Sequence, residues 1–237
     1  MTFTDLALVL RSQADGDRAE AMSAYMRHLF PFLGLPTPQR RALLKPFLKD
    51  WKARAKAQGI NRQLVEDCWA AEEREFQYCA LDYLAAVSQL LTSQDIPWLR
   101  SLVERKSWWD SIDRLDLLVG EVLWRQPDDA LILNWAQDAN FWVRRVAIDH
   151  QRPRKAQTDT ALLEQILALN FGSREFFINK AIGWSLREYS KTDPAWVADF
   201  LTRHRGQLAP LSLREAAKRL PEQLRVELAL PGVAGRK

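Results

Sequence analysis

Histidine and cysteine are scarce in this chain of 237 residues. There are three of the first (His28, His150, His204) and two of the second (Cys68, Cys79). The histidines stand far apart and no HExxH occurs, so a zinc site of that type is excluded and no metal is expected. Two cysteines cannot form a disulfide framework; they read as reduced thiols in a cytosolic compartment. Glycine is also rare, at nine residues, and none falls in a GxGxxG pattern or a phosphate-cradling GxxxxGK loop. The usual signatures of a nucleotide cofactor are therefore missing, and none is expected. Long apolar runs are absent too: nothing approaches the roughly 18 residues of a membrane span. The stretch Leu6–Leu10 follows Asp5, with no basic residue before it and no small-residue cleavage site after it. Neither a membrane partner nor a signal peptide is expected, and the expected location is the cytoplasm.

What is present is a globular composition, 47% hydrophobic and 27% charged, with ten tryptophans. The net charge of +4 hides an asymmetry. Residues 1–140 hold 17 Lys and Arg against 20 Asp and Glu, whereas residues 141–237 hold 17 against 10. A basic second portion suits an anionic partner, and nucleic acid is the commonest one.

Apolar positions recur at steps of three and four from end to end, as in Leu43, Leu44, Phe47, Leu48 and Trp51, so an all-α fold is expected, two thirds helix or more. Thr37, Asn61, Ser107, Thr158, Ser173 and Asp193 each precede a periodic run and read as helix caps, and Pro46 should kink its helix. Phe76, Trp109, Trp142 and Phe176 stand near helix starts at intervals of 33, 33 and 34 residues, with Ala80, Ala147 and Ala181 shortly after. Arg74-Glu75-Phe76 recurs as Arg174-Glu175-Phe176. Such a period means stacked helix pairs: a solenoid of HEAT-like antiparallel pairs with a concave groove lined by the second helix of each. The linkers are short, so residues 1–230 read as one domain and the tail 231–237 (PGVAGRK) as disordered.

The densest chemical signal is Lys106-Ser107-Trp108-Trp109-Asp110-Ser111-Ile112-Asp113. Trp109 and Asp113, four apart, share a helix face, while Trp108 and Ile112 turn toward the core. Arg145 follows the repeat marker Trp142 by three residues and should neighbour Asp113. Asp113 could instead be merely paired with an arginine such as Arg114 or Arg145, and tryptophan at helical spacing is commonly core. Gly183 beside Trp184 inside a helix costs up to about 1 kcal/mol against alanine, which suggests a close approach to the backbone there.

KSWWDSID, FWVRR and KAIGWSLREYSKT resemble motifs of the AlkD-type DNA alkylation repair glycosylases. So do Ala24-Tyr25-Met26 with Phe32-Leu33-Gly34, Thr37-Pro38-Gln39-Arg40-Arg41, Arg74-Glu75-Phe76-Gln77, and Leu208-Ala209-Pro210-Leu211-Ser212 with Arg214-Glu215-Ala216. Gln39 departs from the acidic residue common in that turn, and Ser185 from the alanine common after Gly-Trp. The resemblance implies a HEAT-like solenoid that binds duplex DNA and hydrolyses the N-glycosidic bond of purines alkylated at N3 or N7. By the same resemblance Asp113 is the catalytic aspartate, Trp109 and Trp184 flank the lesion sugar, Arg145 lies beside them, and Tyr25 faces the site.

An alkylated purine is already a cationic leaving group, so one ionised carboxylate that stabilises the sugar cation suffices, where ordinary glycosidases need two. Lys106 as a Schiff-base nucleophile is set aside because it precedes the helix start. Lys106, Arg144, Arg152, Lys180, Arg187 and Arg214 are candidate phosphate contacts, with Arg154, Lys155 and Lys218 behind them. The expected protein is a monomeric, monofunctional glycosylase. The alternatives are a non-catalytic HEAT-like protein that binds DNA by shape and a HEAT-type protein scaffold.

Overall fold

The computed structural model describes residues 1–228, and the tail expected at 231–237 lies outside the described residues. Among the described residues 71% are helical and no strand is present, as the periodicity predicts. The chain divides into two compact units, Met1–Asp95 and a second that begins at Ile96.

The first unit contains α1 (Phe3–Arg11), α2 (Gly16–Tyr25), α3 (Thr37–Gln58), α4 (Arg62–Ala70) and α5 (Arg74–Ala86). Thr2 and Asp5 cap α1 reciprocally, and the Asp15 carboxylate caps α2 by accepting from the Arg18 amide. Asn61 caps α4 as expected. Thr37 does not cap α3: it is the first helical residue, Pro36 takes the cap position, and the helix continues through Pro46 to Gln58. The turn before α3 is held by the fully buried Glu75, whose carboxylate accepts from the amides of Leu33, Gly34 and Leu35 at 2.9, 3.0 and 3.1 Å. Gly34 is required there. Its φ is +80°, and a Cβ would lie 2.2 Å from the Asp15 carbonyl oxygen.

The second unit is a stack of helix pairs, consistent with the expected HEAT-like repeat: α6 (Ile96–Val103) with α7 (Trp109–Arg125), α8 (Asp129–Trp135) with α9 (Phe141–Asp149), α10 (Thr160–Ala168) with α11 (Phe176–Tyr189), and α12 (Pro194–His204) with α13 (Pro210–Ala217). The short α14 (Glu222–Glu227) follows. The second helices lie side by side, α7 on α9, α9 on α11 and α11 on α13. Side chains fasten each repeat to the last at nearly the predicted period. Arg145 donates to the Phe177 carbonyl 32 residues on, Ser212 to that of Asn179 33 residues back, and Asn170 to that of Ala136 34 residues back.

Small residues let these helices approach. Ala147 and Ala181 are fully buried. A Cβ on Gly120 would lie 2.0 Å from the His150 carbonyl oxygen, and one on Gly183 would lie 2.4 Å from the Glu215 Cβ and 2.8 Å from the Ser212 carbonyl oxygen. The close approach inferred at Gly183 is thus a packing contact with α13.

Asp193 caps α12 as predicted. At α10 the cap is Asp159, one residue after the expected Thr158. At α11 it is Glu175, whose own amide donates to Ser173. The repeated Arg-Glu-Phe tripeptide does different work in the two units. Phe76 is fully buried, whereas Phe176 is 54% exposed and its neighbour Phe177 does the packing.

Candidate active site

The loop into α7 turns at Lys106, whose φ of +50° lies in the left-handed region. Ser107 does not cap the helix. Its hydroxyl donates back to the Val103 carbonyl at 2.5 Å, and the extended Trp108 occupies the cap position. The helix start needs an extended residue that tucks an indole inward, and Trp108 rather than a side-chain acceptor supplies it. Trp108 packs against Trp142 and Phe177 with centroids 5.8 and 5.1 Å away, and Phe177 lies 4.7 Å from Trp142. This aromatic cluster ties the starts of α7, α9 and α11 together. It leaves Trp109, the first residue of α7, half-buried, with Asp113 one turn along.

Asp113 and Arg145 meet as predicted. Arg145 is 2% exposed and binds one carboxylate oxygen of Asp113, Oδ1, through both Nε (2.9 Å) and Nη2 (2.7 Å). Its remaining nitrogen donates to the Phe177 carbonyl at 2.9 Å. Among the described residues Asp113 Oδ2 has no protein hydrogen bond, and the side chain is 17% exposed. Burial pushes the Asp113 carboxyl above its ordinary value, against the pull of Arg145.

A second arginine completes the arrangement. Arg152, just past α9, stacks its guanidinium 3.8 Å from the centre of the half-buried Trp184 ring and donates to Asp116 Oδ2 at 2.6 Å. Its side chain is 10% exposed. The phosphate contact expected of Arg152 meets a residue committed to Asp116 and Trp184. The Arg145 guanidinium lies 5.7 Å from the same ring, so Trp184 already faces cationic charge from the protein.

Beneath these arginines sit two carboxylates that sequence reasoning missed, Asp116 and Asp149, both fully buried. Asp149 approaches Arg145 at 3.8 Å. One oxygen of each of Asp113, Asp116 and Asp149 lies within 4.8 Å of the others. The scarcity of histidine, on which the expectation of no metal rested, says nothing of this carboxylate cluster. The signal was available: Asp113 and Asp116 are one turn apart on α7, and Arg145 and Asp149 one turn apart on α9. Arg145 and Arg152 face this cluster and take Asp113 Oδ1 and Asp116 Oδ2, while both oxygens of Asp149 and Oδ1 of Asp116 keep no hydrogen-bond donor among the described residues.

The remaining candidates are dispersed. Lys180 and Arg187 both bind Glu215, at 2.6 and 2.7 Å, together with Lys218 at 2.5 Å. Burial raises the Glu215 carboxyl, but Lys180 and Lys218 outweigh it and bring it below its ordinary value. Arg214 is exposed, Arg144 half-buried, and neither forms an ion pair among the described residues. Arg154 donates to Gln151 and to the Gly120 carbonyl and lies against Trp124, while Lys155 is exposed. Tyr25 ends α2 in the first unit and is 72% exposed. Among the described residues no helix is long and apolar enough to cross a membrane.

Fold and site define a helical-repeat protein in which successive second helices bring an arginine-held carboxylate next to tryptophan. The sequence matches the DNA alkylation repair enzyme family over residues 6–220, and the chain belongs to that family. Among solved structures it is similar to a predicted DNA alkylation repair enzyme from Enterococcus faecalis, with a TM-score of 0.82 and 36% identity over 89% of this chain and 98% of that one. The smu.31 protein of Streptococcus mutans UA159 shares the fold, with a TM-score of 0.56 and 17% identity over 77% of this chain and 98% of that one. No curated protein sequence matches.

Proposed function

We propose that the protein is a monofunctional DNA glycosylase that removes cationic N3- and N7-alkylated purines from duplex DNA in base excision repair. The observation that carries this reading is the asymmetric use of Asp113: Arg145 binds Oδ1 twice, while Oδ2 has no donor among the described residues, one helical turn from Trp109. Membership of the DNA alkylation repair enzyme family supports the substrate class.

In this mechanism the C1′–N bond breaks with its electron pair going to the base, which leaves as a neutral alkylpurine. The sugar becomes an oxocarbenium ion. Asp113 stabilises that cation through Oδ2, and a water adds to C1′ and gives its proton to Asp113 and then to solvent. No general acid is required, because the alkyl group has already made the base a good leaving group. A carboxylate about 4 Å from a unit positive charge contributes about 4 kcal/mol at an effective dielectric of 20. A tryptophan face adds about 0.5–2 kcal/mol by cation–π attraction. Trp109 supplies the larger part of that, because Arg152 already covers one face of Trp184. Arg144, Arg214, Lys106 and Tyr25 are proposed DNA contacts, and Lys180 and Arg187 reach phosphate only if they give up part of Glu215. The protein acts as a monomer without metal or cofactor.

The test is direct. Duplex DNA carrying N7-methylguanine is incubated with the protein, and free base is quantified against spontaneous loss. Binding to the duplex without base release would instead favour a protein that recognises DNA by shape.

A further inference from the structure

The buried layer under the site is oversupplied with negative charge. Asp116 and Asp149 are fully buried, yet among the described residues both oxygens of Asp149 and Oδ1 of Asp116 have no hydrogen-bond donor. A buried carboxylate oxygen without a donor is strongly disfavoured unless something cationic reaches it. The charged groups that face the pair are few. Helix α7 presents Asp113, α9 presents Arg145, the segment after α9 presents Arg152, and α11 presents Arg187, which is tied to Glu215 of α13. The charged residues of the other helices packed on α9 are engaged elsewhere or exposed. Arg100 of α6 binds Glu104 and Asp138, Glu164 of α10 binds Arg203 and His204, and Asp129 of α8 is exposed. His150 turns its ring to the Ala147 carbonyl at 2.7 Å. Three carboxylates against two guanidiniums leave one negative charge uncompensated when all are ionised.

We propose that Asp116 and Asp149 titrate as a pair that shares one proton on the acid side, and that its release gives the site the extra negative charge with which it stabilises a cationic substrate. Two carboxylates at this separation in an apolar interior do not both ionise easily, so they titrate as a pair. The directions agree with the geometry: burial pushes Asp116 well up and brings Asp149 to about 6, against the pull of Arg145 and Arg152. With the proton in place the cluster is neutral and Asp113 is balanced by the arginines. Without it, the cluster carries one negative charge beneath Asp113, on the side away from solvent. Asp116 and Asp149 are thus positioning residues. They touch no substrate; they hold the two arginines and set the charge the sugar cation meets. The catalytic part of this inference rests on the glycosylase reading, while the shared proton does not.

Two measurements on the full chain separate them. In the first, the protein is labelled with carbon-13 at the aspartate carboxyl carbons and titrated from pH 4.5 to 8.5. The expected result is a cluster carboxyl with a midpoint within about one unit of 6 that disappears in Asp149→Asn and shifts in Asp116→Asn. Full ionisation of every aspartate across that range overturns the proposal. In the second, single-turnover release of an N7-alkylguanine is followed over the same pH range and corrected for spontaneous loss. The wild-type rate is expected to rise about tenfold through the midpoint, and by less than about twofold in Asp149→Asn. A flat wild-type profile, or the same rise in the variant, overturns the coupling to the reaction. Absence of base release at every pH overturns the glycosylase reading, with the titration still deciding the proton.

Discussion

Replacing Asp113 with asparagine removes one charge and almost no volume. The asparagine oxygen can still accept from Arg145, whose third nitrogen remains on the Phe177 carbonyl at 2.9 Å. Arg145 also keeps Asp149 at 3.8 Å, so the fold should survive with a stability loss of about 1–3 kcal/mol. The loss in the reaction is larger. A carboxylate about 4 Å from the developing sugar cation contributes about 4 kcal/mol at an effective dielectric of 20. The amide dipole retains part of that, which leaves a barrier increase of about 2–4 kcal/mol, or roughly 30- to 1000-fold in rate. Duplex affinity should hold or rise, since an anion has been removed near phosphate. The assay is single-turnover release of N7-methylguanine with protein in excess, alongside thermal unfolding and a duplex gel shift. A folded, DNA-binding Asp113→Asn variant that releases base within about threefold of wild type would refute the reasoning, because no charge-stabilising role could then belong to that carboxylate.

Trp109→Leu should slow excision by about 3- to 30-fold, the range of one cation–π contact, and by more than Trp184→Leu does; the reverse order would mean that the Arg152-covered ring is the one that meets the sugar. Hypoxanthine, a neutral base, should leave far more slowly than N7-methylguanine in the same duplex context, and comparable single-turnover rates would reveal a general acid. Gly183→Ala should lower stability by about 1–3 kcal/mol despite its better helix propensity, since the new Cβ meets Ser212 and Glu215; a thermal unfolding temperature equal to or above wild type would contradict the close packing. Burial depresses His150 to about 3 from 6.5, so its folded value lies below its unfolded one. Its contribution is complete above about pH 6.5 and is lost as pH falls, by about 2 kcal/mol between pH 7 and 5. Urea unfolding should show His150→Gln losing less than wild type over that interval, and an equal loss would rule this out.

The helical period and the Asp113–Arg145 pairing were legible because both depend on spacing alone. Repeat markers 33 residues apart must stack, and a residue three or four past each marker must face its counterpart. Caps were legible to within a residue or two: Asn61 and Asp193 were read correctly, whereas Thr158 was chosen over the adjacent Asp159 because both have acceptors. Ser107 misled for a different reason. Its hydroxyl found an acceptor behind it in Val103, and the demand for an extended backbone fell on Trp108. Asp116 and Asp149 stood at one-turn spacing from Asp113 and Arg145, but charged residues on helices and linkers are ordinarily solvated, so neither their burial nor the commitment of Arg152 to Asp116 could be read from spacing. Gly183 announced a close approach without naming the neighbour, which a one-dimensional pattern cannot supply.

The hydrogen bonds that fasten one repeat to the next also make the site a test of contiguity. Asp113, Arg145 and Trp184 come from α7, α9 and α11, three successive pairs, so no pair holds a working fragment. Repeat proteins lose order from their ends inward. Fraying that reached only α14 would leave the constellation intact. Loss of α13 would strip Glu215 from Lys180 and Arg187 and uncover the backbone at Gly183, next to Trp184. Activity should therefore persist through early melting and stop when α13 detaches, which would make base release a report on how much of the stack remains assembled.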